Sequence, residues 1–150
     1  MKKISDFVQP EGIFHLSSKE AAGVVDELAG KLAQAAGIPS EKVKKLLAER
    51  EQLGCTALGH EVAVPHERAE VAQLVGVMGL SPEGVDFGSP DGKPVRIFVA
   101  FLSPKASGLH LKALAAVVRT FADESLREKV VAARDGGEAH ALLAAAKDAG

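Results

Sequence analysis

Two stretches near the start of the chain repeat apolar residues at helical spacing. Residues 17–20, Ser-Ser-Lys-Glu, have the form of a capping box and predict that a helix begins there. Gly37 and Pro39 predict where that helix stops. Ser40 then predicts the start of a second helix that ends at Gly54. Its expected buried residues are Val43, Leu46 and Leu47, with Leu53 as a further candidate.

The middle of the chain changes to the pattern of strands. Residues 61–65 form a short apolar run closed by a proline, which predicts a brief strand, and residues 71–80 predict a longer one. Residues 81–94 hold three prolines and three glycines, which predicts turns. Residues 95–102 are almost continuously apolar, as expected of a central strand that is covered on both faces.

The last third of the chain returns to helical spacing. One helix is predicted with a buried face of Leu111, Leu114, Ala115, Val118 and Phe121. A second capping box at residues 125–128 predicts another helix, which would bury Val130 and Val131. A last helix follows Gly136 and Gly137, with Ala139, Leu142, Leu143 and Ala146 on one face. Helices packed on a small central sheet make an α/β or α+β sandwich, although the strand order does not follow from the pattern.

Composition narrows the class of protein. The 150 residues suit one domain over 1–150, and 47% apolar with 25% charged residues is an ordinary globular mixture. A net charge of −2 argues against a generic polyanion binder, and the lack of Trp and Tyr argues against a protein that stacks nucleic-acid bases. The single cysteine, Cys55, allows no intrachain disulfide. With no apolar segment near 18 residues, the expectation is a soluble cytoplasmic protein without nucleic-acid partners or membrane insertion.

The most informative candidate for chemistry is His66, which directly follows Pro65. The proline fixes its own φ and favours extended geometry at Val64, so His66 is expected at a strand end with its backbone direction set. A histidine in such a place serves as a nucleophile, a base or a ligand. The structural alternative is a surface or hydrogen-bonded histidine without chemistry.

Two further side chains are candidates for the same cleft. His110 follows Ser107 and Gly108 at the start of a predicted helix, where the structural alternative is a hydrogen bond to a backbone carbonyl. Arg50 lies in the last turn of a predicted helix, where an arginine usually just complements the helix dipole. That helix end leads straight into the loop before His66, and residues 54–59 of this loop are a weak phosphate-binding signal.

A metal site is a minor hypothesis. His60 and His66 are six residues apart and would share a face of an unbroken strand, and Glu61, Glu67 and His110 could complete a ligand set. Pro65 interrupts that strand, however, and the chain has no HExxH motif or zinc-type Cys/His spacing. Neither a Gly-x-Ser-x-Gly elbow nor a P-loop is present, so a serine hydrolase and an ATP-dependent phosphotransferase are not indicated.

The segment 50–66 as a whole resembles the active-site signature of the fructose–mannitol type of EIIA domain, from the bacterial phosphoenolpyruvate-dependent phosphotransferase system. The class includes the stand-alone nitrogen-regulatory EIIA proteins, which this chain resembles most. Support comes from residues 86–95, similar to the family's turn before its central strand, and from His110-Leu111 ahead of an apolar helix. The residues that carry the likeness are Arg50, Glu51, Gly54, Thr56, Gly59, Ala63, Pro65 and His66.

The resemblance implies a fold and a function. The fold would be a three-layer α/β sandwich, a small mixed sheet flanked by helices on both faces. His66 would accept a phosphoryl group from the phosphohistidine of the carrier HPr and pass it to a cysteine of an EIIB domain. His110 and Arg50 would line the site, with no cofactor. Charge-assisted binding by these side chains and by the loop N–H groups around Cys55 and Thr56 suits such a transfer.

Two alternatives remain open beside the phosphocarrier. The first is a regulatory interaction module whose phosphorylation state gates binding to another regulator, and the second is a metal-dependent hydrolase.

Glu67 departs from the family, which usually has a small residue after the signature histidine. A carboxylate there would repel an incoming phosphoryl group unless it points away or pairs with Arg68. Cys55 and His60 are further departures.

Overall fold

The computed structural model describes residues 3–146 of the 150, and these residues form six strands and five α-helices after a short 3₁₀ turn at Ile4–Asp6. The strands are β1 (Val8–His15), β2 (Ala57–Gly59), β3 (Val62–Ala63), β4 (His66–Ala69), β5 (Val75–Val85) and β6 (Val95–Pro104). The helices are α1 (Ala21–Ala36), α2 (Ser40–Gln52), α3 (Leu109–Phe121), α4 (Glu124–Val131) and α5 (Gly136–Ala145).

Strand β6 is the centre of a mixed sheet. The order is β1-β5-β6-β3-β2, and β4 also pairs with β6. The pairs β1/β5, β3/β6 and β4/β6 are parallel, whereas β5/β6 and β2/β3 are antiparallel. The apolar run at residues 95–102 is therefore a central strand, as its composition predicts, and the expectation of a mixed sheet is confirmed.

The sheet has one hydrophobic core on each face, so the three-layer sandwich is confirmed. Alternation along β6 divides its side chains between the two cores, because successive residues of a strand point to opposite faces. Phe98 and Ala100 pack with the residues of α1 and α2, whereas Val99 and Phe101 pack with those of α3, α4 and α5. Residues 97–103 of β6 are buried on both faces, which explains why this part of the sequence lacks a polar alternation.

Strands β3 and β4 are two parts of one line that runs beside β6. Ala63 pairs with Phe98, and His66 pairs with Phe101 three residues further along. Pro65 interrupts the line because it has no N–H to donate, although its carbonyl oxygen still accepts a hydrogen bond from the Phe101 N–H at 3.1 Å. The expected strand over 61–65 is thus shorter than predicted, and His66 begins the next strand instead of ending that one.

Strand β1 lies at the sheet edge, and like the short strands β2 and β4 it was not predicted from the sequence pattern. Its residues include Pro10 and Gly12, which interrupt the alternation, and its pairing with β5 shifts register between Val8 and Ile13. Proline is tolerated at such an edge because the missing N–H faces away from the ladder. The first residues of α5 pack against this edge, where Gly136 lies close to the carbonyl oxygens of Pro10 and Ile13.

The two predicted capping boxes are wrong. Helix α1 begins at Ala21, and the N–H groups of Ser17 and Ser18 bind the Glu27 carboxylate of that helix instead. Helix α4 has Asp123 as its N-cap, since the carboxylate accepts the Leu126 N–H, and this places Ser125 inside the helix. Helix α1 therefore has no side-chain cap, and the cap of α4 lies two residues before the predicted one.

Two other boundaries also differ from the pattern. Strand β5 starts later than residue 71 and continues to Val85, through part of the segment predicted as turns. Its end pairs with the start of β6, so tertiary pairing overrides the local signals of Pro82 and Gly84. Helix α2 ends at Gln52, and Leu53 is 83% exposed instead of buried.

Helix α3 buries only part of the predicted face, which is confirmed for Phe121 and for the partly buried Leu114. The buried residues are Ala113, Ala116, Val117 and Phe121. Leu111 and Val118, which belong to the predicted face, are 63% and 55% exposed. An apolar stripe therefore remains in contact with solvent. No helix among residues 3–146 is both long enough and apolar enough to cross a membrane.

Candidate functional site

His66 is held by its own strand and by the central strand. Its half-buried ring stacks on Phe101, its register partner in β6, with ring centroids 5.0 Å apart and planes 21° apart. Nδ1 lies 2.7 Å from the carbonyl oxygen of Val64. Because a carbonyl oxygen can only accept, Nδ1 carries the proton in this contact, and the neutral ring keeps its lone pair on Nε2.

The surroundings of His66 favour its neutral form. Burial lowers the pKa of His66 below its usual value, and the nearby charge of Arg50, together with that of His110 whenever its ring is protonated, lowers it further. The hydrogen bond to the Val64 carbonyl and the charge of Glu67 act in the opposite direction without cancelling the shift. A neutral imidazole with its proton fixed on Nδ1 presents Nε2 as a nucleophile at neutral pH.

The lowered pKa of His66 can be measured by following its ring protons through an NMR pH titration. We expect the midpoint below 6.5, the value of an unperturbed histidine. Arg50→Ala removes a positive charge that disfavours the protonated ring, so it should raise the pKa of His66. A wild-type midpoint at or above 6.5, or a lower pKa in Arg50→Ala, would contradict this electrostatic description.

The lowered pKa also has a consequence for stability. Below pH 6.5 the unfolded chain binds a proton at His66 that the folded chain binds only at lower pH. His66 therefore contributes to a loss of stability as the pH falls through this range, and it contributes no pH dependence well above it.

Arg50 and the loop that follows it lie beside the residues that precede His66. In the last turn of α2, Arg50 donates from Nη1 to the Gly54 carbonyl oxygen at 3.0 Å, which ties the helix end to the loop. The Val64 N–H donates to the Thr56 carbonyl oxygen at 3.0 Å. The structure thus brings Arg50 and the loop to His66 from the α2 side.

The side chains of Cys55 and Thr56 are both engaged within the protein. The buried Thr56 hydroxyl donates to the Glu51 carboxylate, and the exposed Cys55 has its sulfur 3.2 Å from the Phe87 carbonyl oxygen. The Thr56 N–H also lies 3.4 Å from the Glu51 carboxylate, a long contact. Phosphate binding by this loop through its backbone stays a prediction.

His110 approaches His66 from the opposite element, the start of α3, and it contacts an arginine. The Arg68 Nη2 lies 3.1 Å from both ring nitrogens of His110, and the Arg68 Nη1 donates to the Lys105 carbonyl oxygen at 3.1 Å. Sequence reasoning did not place Arg68 in the site. The signal that could have found it is the two-residue spacing from His66, which puts both side chains on one face of a strand.

Glu67 points away from the face that carries His66. Its register partner Leu102 and the neighbouring Ala69 both belong to the core that faces α1 and α2, whereas Phe101, beneath His66, belongs to the other core. The Glu67 carboxylate accepts the Arg68 backbone N–H at 2.8 Å. The carboxylate therefore lies on the other side of the strand from the His66 ring. It points away from the site, as it must if it is not to repel an incoming phosphoryl group.

The residues considered for a metal site do not converge. His60 and Glu61 form the turn between β2 and β3, each with a positive φ, and the His60 N–H donates to the Asp91 carboxylate at 3.0 Å. His60 therefore does not lie on a strand face with His66. Within residues 3–146 no group of three or more His, Cys, Asp and Glu side chains is placed to hold a metal ion.

Comparison with known proteins gives a consistent answer. Residues 6–146 match the family described as phosphoenolpyruvate-dependent sugar phosphotransferase system, EIIA 2. A nitrogen regulatory protein of Bradyrhizobium diazoefficiens is 36% identical over 146 residues, 94% of each chain. The crystal structure of the nitrogen regulatory protein IIA-Ntr from Neisseria meningitidis has a TM-score of 0.85 and 31% identity, covering 93% of this chain and 98% of that one. The mannitol IIA enzyme of Escherichia coli, in complex with its phosphorylated IIB enzyme, shares the fold with a TM-score of 0.77 and 24% identity, over 89% of this chain and 94% of that one.

Proposed function

The chain belongs to the EIIA type 2 family of the phosphoenolpyruvate-dependent phosphotransferase system, and from that premise we propose that His66 accepts a phosphoryl group and hands it on. A phosphocarrier or regulatory role follows from the family and from the nitrogen regulatory relatives. The metal-dependent hydrolase receives no support from the comparisons. The proposal concerns which residue carries the group and how it is held.

The observation that carries the proposal is the state of the His66 ring. Its Nδ1 is bonded to the Val64 carbonyl oxygen and its pKa is lowered, so a lone pair is available on Nε2. In the transfer, this lone pair forms the new N–P bond while the N–P bond of the donor phosphohistidine breaks. The donor imidazole takes back that electron pair, and no cofactor is needed.

The charge of the transferred group needs stabilisation, because phosphoryl transfer depends on positioning and electrostatics more than on covalent help from the protein. Arg50 and His110 are both near enough to His66 for a positive charge on either side chain to shift its pKa. They come from different helices, α2 and α3. We infer that they bind the phosphoryl oxygens, each with charge-assisted hydrogen bonds.

The apolar surface near the site supports a protein as donor and as acceptor. Leu111 and Val118 are seven residues apart on α3 and so lie on one exposed face, next to His110. Leu58 and Val118 also line a groove of about 290 Å³ between β2 and α3. An HPr-type carrier would dock here as donor. The acceptor would be an EIIB domain, as in the E. coli mannitol complex, or a regulatory protein.

The regulatory role is the second candidate, and the likeness to nitrogen regulatory proteins favours it. A phosphoryl group on His66 adds a charge of about −1.5 to −2 at a surface that otherwise offers leucine and valine side chains. That change is sufficient to exchange one partner for another. In either role the phosphate comes from phosphoenolpyruvate, so we expect the chain to act in the cytoplasm.

The test is to incubate the chain with phosphoenolpyruvate, the first enzyme of the system and HPr, and to measure its mass. We expect the mass of one phosphoryl group to be added, and to be lost in acid. Addition of an EIIB domain then separates the two roles, because only a carrier passes the group on. A chain that gains no mass while a control EIIA does would contradict the proposal.

Replacement of Arg50 should affect transfer more than stability. Arg50→Ala removes a cation from the site, and loss of one such donor slows transfer by about 100-fold or more. The change in the free energy of unfolding should stay below about 1 kcal/mol, because the arginine is only partly buried and its bond to Gly54 is near the surface. Transfer is measured by rapid-quench labelling, and stability by urea unfolding.

The matched control is Arg134→Ala, an exposed arginine just before α5, at the other edge of the sheet. It should transfer at the wild-type rate. If Arg50→Ala transferred normally, or unfolded the chain, the assigned role of Arg50 would be wrong.

A further inference from the structure

We propose that Arg68 is a positioning residue of the phosphoryl site: its guanidinium holds the His110 ring where it can contact a phosphoryl group on His66. The inference rests on the proposed function and adds a residue to it. Arg68 would act through His110 and would not itself bind the phosphoryl group.

The geometry of β4 puts Arg68 on the correct side of the sheet. His66 pairs with Phe101 and Arg68 pairs with Ser103, two residues apart on each strand, so all four side chains lie on one face. Ala69, the neighbour of Arg68, points into the opposite core. Arg68 therefore extends from the strand that presents His66 towards the helix that presents His110.

The guanidinium of Arg68 joins the two ends of the connection between β6 and α3. Nη1 donates to the carbonyl oxygen of Lys105, the first residue after β6, and Nη2 lies 3.1 Å from both ring nitrogens of His110, the second residue of α3. The residues between include Gly108, which restricts the backbone little, and Ser107, whose hydroxyl donates to the Pro104 carbonyl oxygen at 3.2 Å. Because the Arg68 side chain is bonded to one end of this connection and in contact with the other, it limits the positions that the His110 ring can take.

The contact also selects a protonation state for His110. A guanidinium has donors only, so a ring nitrogen that it bonds must be unprotonated. The proton of neutral His110 then lies on the other nitrogen, from which it can be donated to a phosphoryl oxygen. Since Nη2 is equidistant from the two nitrogens, a small rotation of either side chain completes a bond to one of them.

Lysine at position 68 separates positioning from simple charge. Arg68→Lys keeps the positive charge, but one ammonium on a flexible stem does not reproduce the planar fork that reaches Lys105 and His110 together. If Arg68 positions His110, we expect Arg68→Ala to slow transfer by about tenfold and Arg68→Lys to recover less than half of that loss. Full recovery in Arg68→Lys would overturn the proposal, because charge alone would then be sufficient.

A double-mutant cycle with His110 tests whether Arg68 acts through that histidine. In the His110→Ala background, Arg68→Ala should change the transfer rate by less than twofold, because there is no ring left to position. An equal, tenfold loss in both backgrounds would mean that Arg68 contacts the phosphoryl group directly and would overturn the positioning role. A wild-type rate in Arg68→Ala would overturn it as well.

The ¹⁵N signals of the histidine rings test the contact without any transfer. In the unphosphorylated protein, Arg68→Ala should shift the ratio of the two neutral tautomers of His110, while the His66 ring keeps its proton on Nδ1. Unchanged His110 signals would overturn the proposal even if transfer slowed. If the wild type accepts no phosphoryl group but the His110 signals shift as expected, the proposed function fails while the contact is upheld.

Discussion

We expect His66→Ala to abolish acid-labile phosphoryl labelling of the chain while leaving its fold intact. The chemical part follows from the ring, whose Nε2 is the nucleophile that the substitution deletes. The structural part follows from burial. His66 is half-buried, so its loss removes the stacking on Phe101 and one bond to a backbone carbonyl, with no large cavity in a core. The free energy of unfolding should fall by only about 1 kcal/mol.

Two other histidines serve as controls for His66. His60→Ala should be labelled to the same extent as the wild type, because His60 lies in the turn between β2 and β3 and lines the docking groove without being the acceptor. His110→Ala should be labelled about tenfold more slowly but to the same extent, since it removes a stabilising donor and not the acceptor. Labelling is followed from phospho-HPr, with circular dichroism on each variant. Normal labelling of His66→Ala, or loss of labelling only in His60→Ala, would identify a different acceptor.

We expect Gly136→Ala to lower the stability of the folded chain substantially. A Cβ at this position would overlap the carbonyl oxygen of Pro10 and come within 2.8 Å of that of Ile13. Both are backbone atoms of β1, which cannot move aside without disturbing its pairing with β5. Overpacking of this kind costs about 2 kcal/mol or more, which lowers the melting temperature by about 4–8 °C.

The neighbouring glycine is a matched control for Gly136. A Cβ on Gly137 would meet only the Asp135 carboxylate, at 3.4 Å, and alanine favours a helix over glycine. Gly137→Ala should therefore be as stable as the wild type or slightly more stable, in the same thermal and urea unfolding measurements. Equal stability of the two variants would show that α5 does not pack on β1 as closely as described.

The central strand was the part of the fold most readily predicted from sequence. Residues 95–102 lie in a strand covered on both faces, and such a strand has a signal of its own because nearly every residue is apolar. Strand β1 has no comparable signal, since Pro10 and Gly12 break its alternation and its place at the sheet edge is fixed by pairing with β5. The position of such an edge strand depends on pairing with a strand that is distant in the sequence, and the local pattern gives no information about that strand.

The predicted apolar face of α3 shows a different limit of pattern reading. Leu111 and Val118 do lie on one side of the helix at the predicted spacing, but that side is exposed. Periodicity identifies an apolar stripe on a helix. It does not show whether that stripe is buried in the core or exposed as a surface for binding another protein. Small residues such as Ala113 and Ala116 cover the sheet instead, because they let the helix approach it closely.

The candidate site was partly accessible from sequence. The motif that ends in Pro65-His66 indicated the family, which the comparisons confirm, and Arg50 and His110 were candidates from their places at the ends of predicted helices. The tautomer of His66 and the contact of Arg68 with His110 could not be predicted. The first depends on the orientation of the His66 ring, which places Nδ1 2.7 Å from the Val64 oxygen, and the second on the distance between β4 and α3.

The most direct test of the account is to find which nitrogen carries the phosphoryl group. The chain is labelled with ¹⁵N-histidine, phosphorylated through HPr, and examined by NMR for coupling between ¹⁵N and ³¹P in each ring. The account predicts one phosphorylated ring, that of His66, with the phosphorus on Nε2 and a proton still on Nδ1. Phosphorus on Nδ1, or on the ring of His60 or His110, would contradict it.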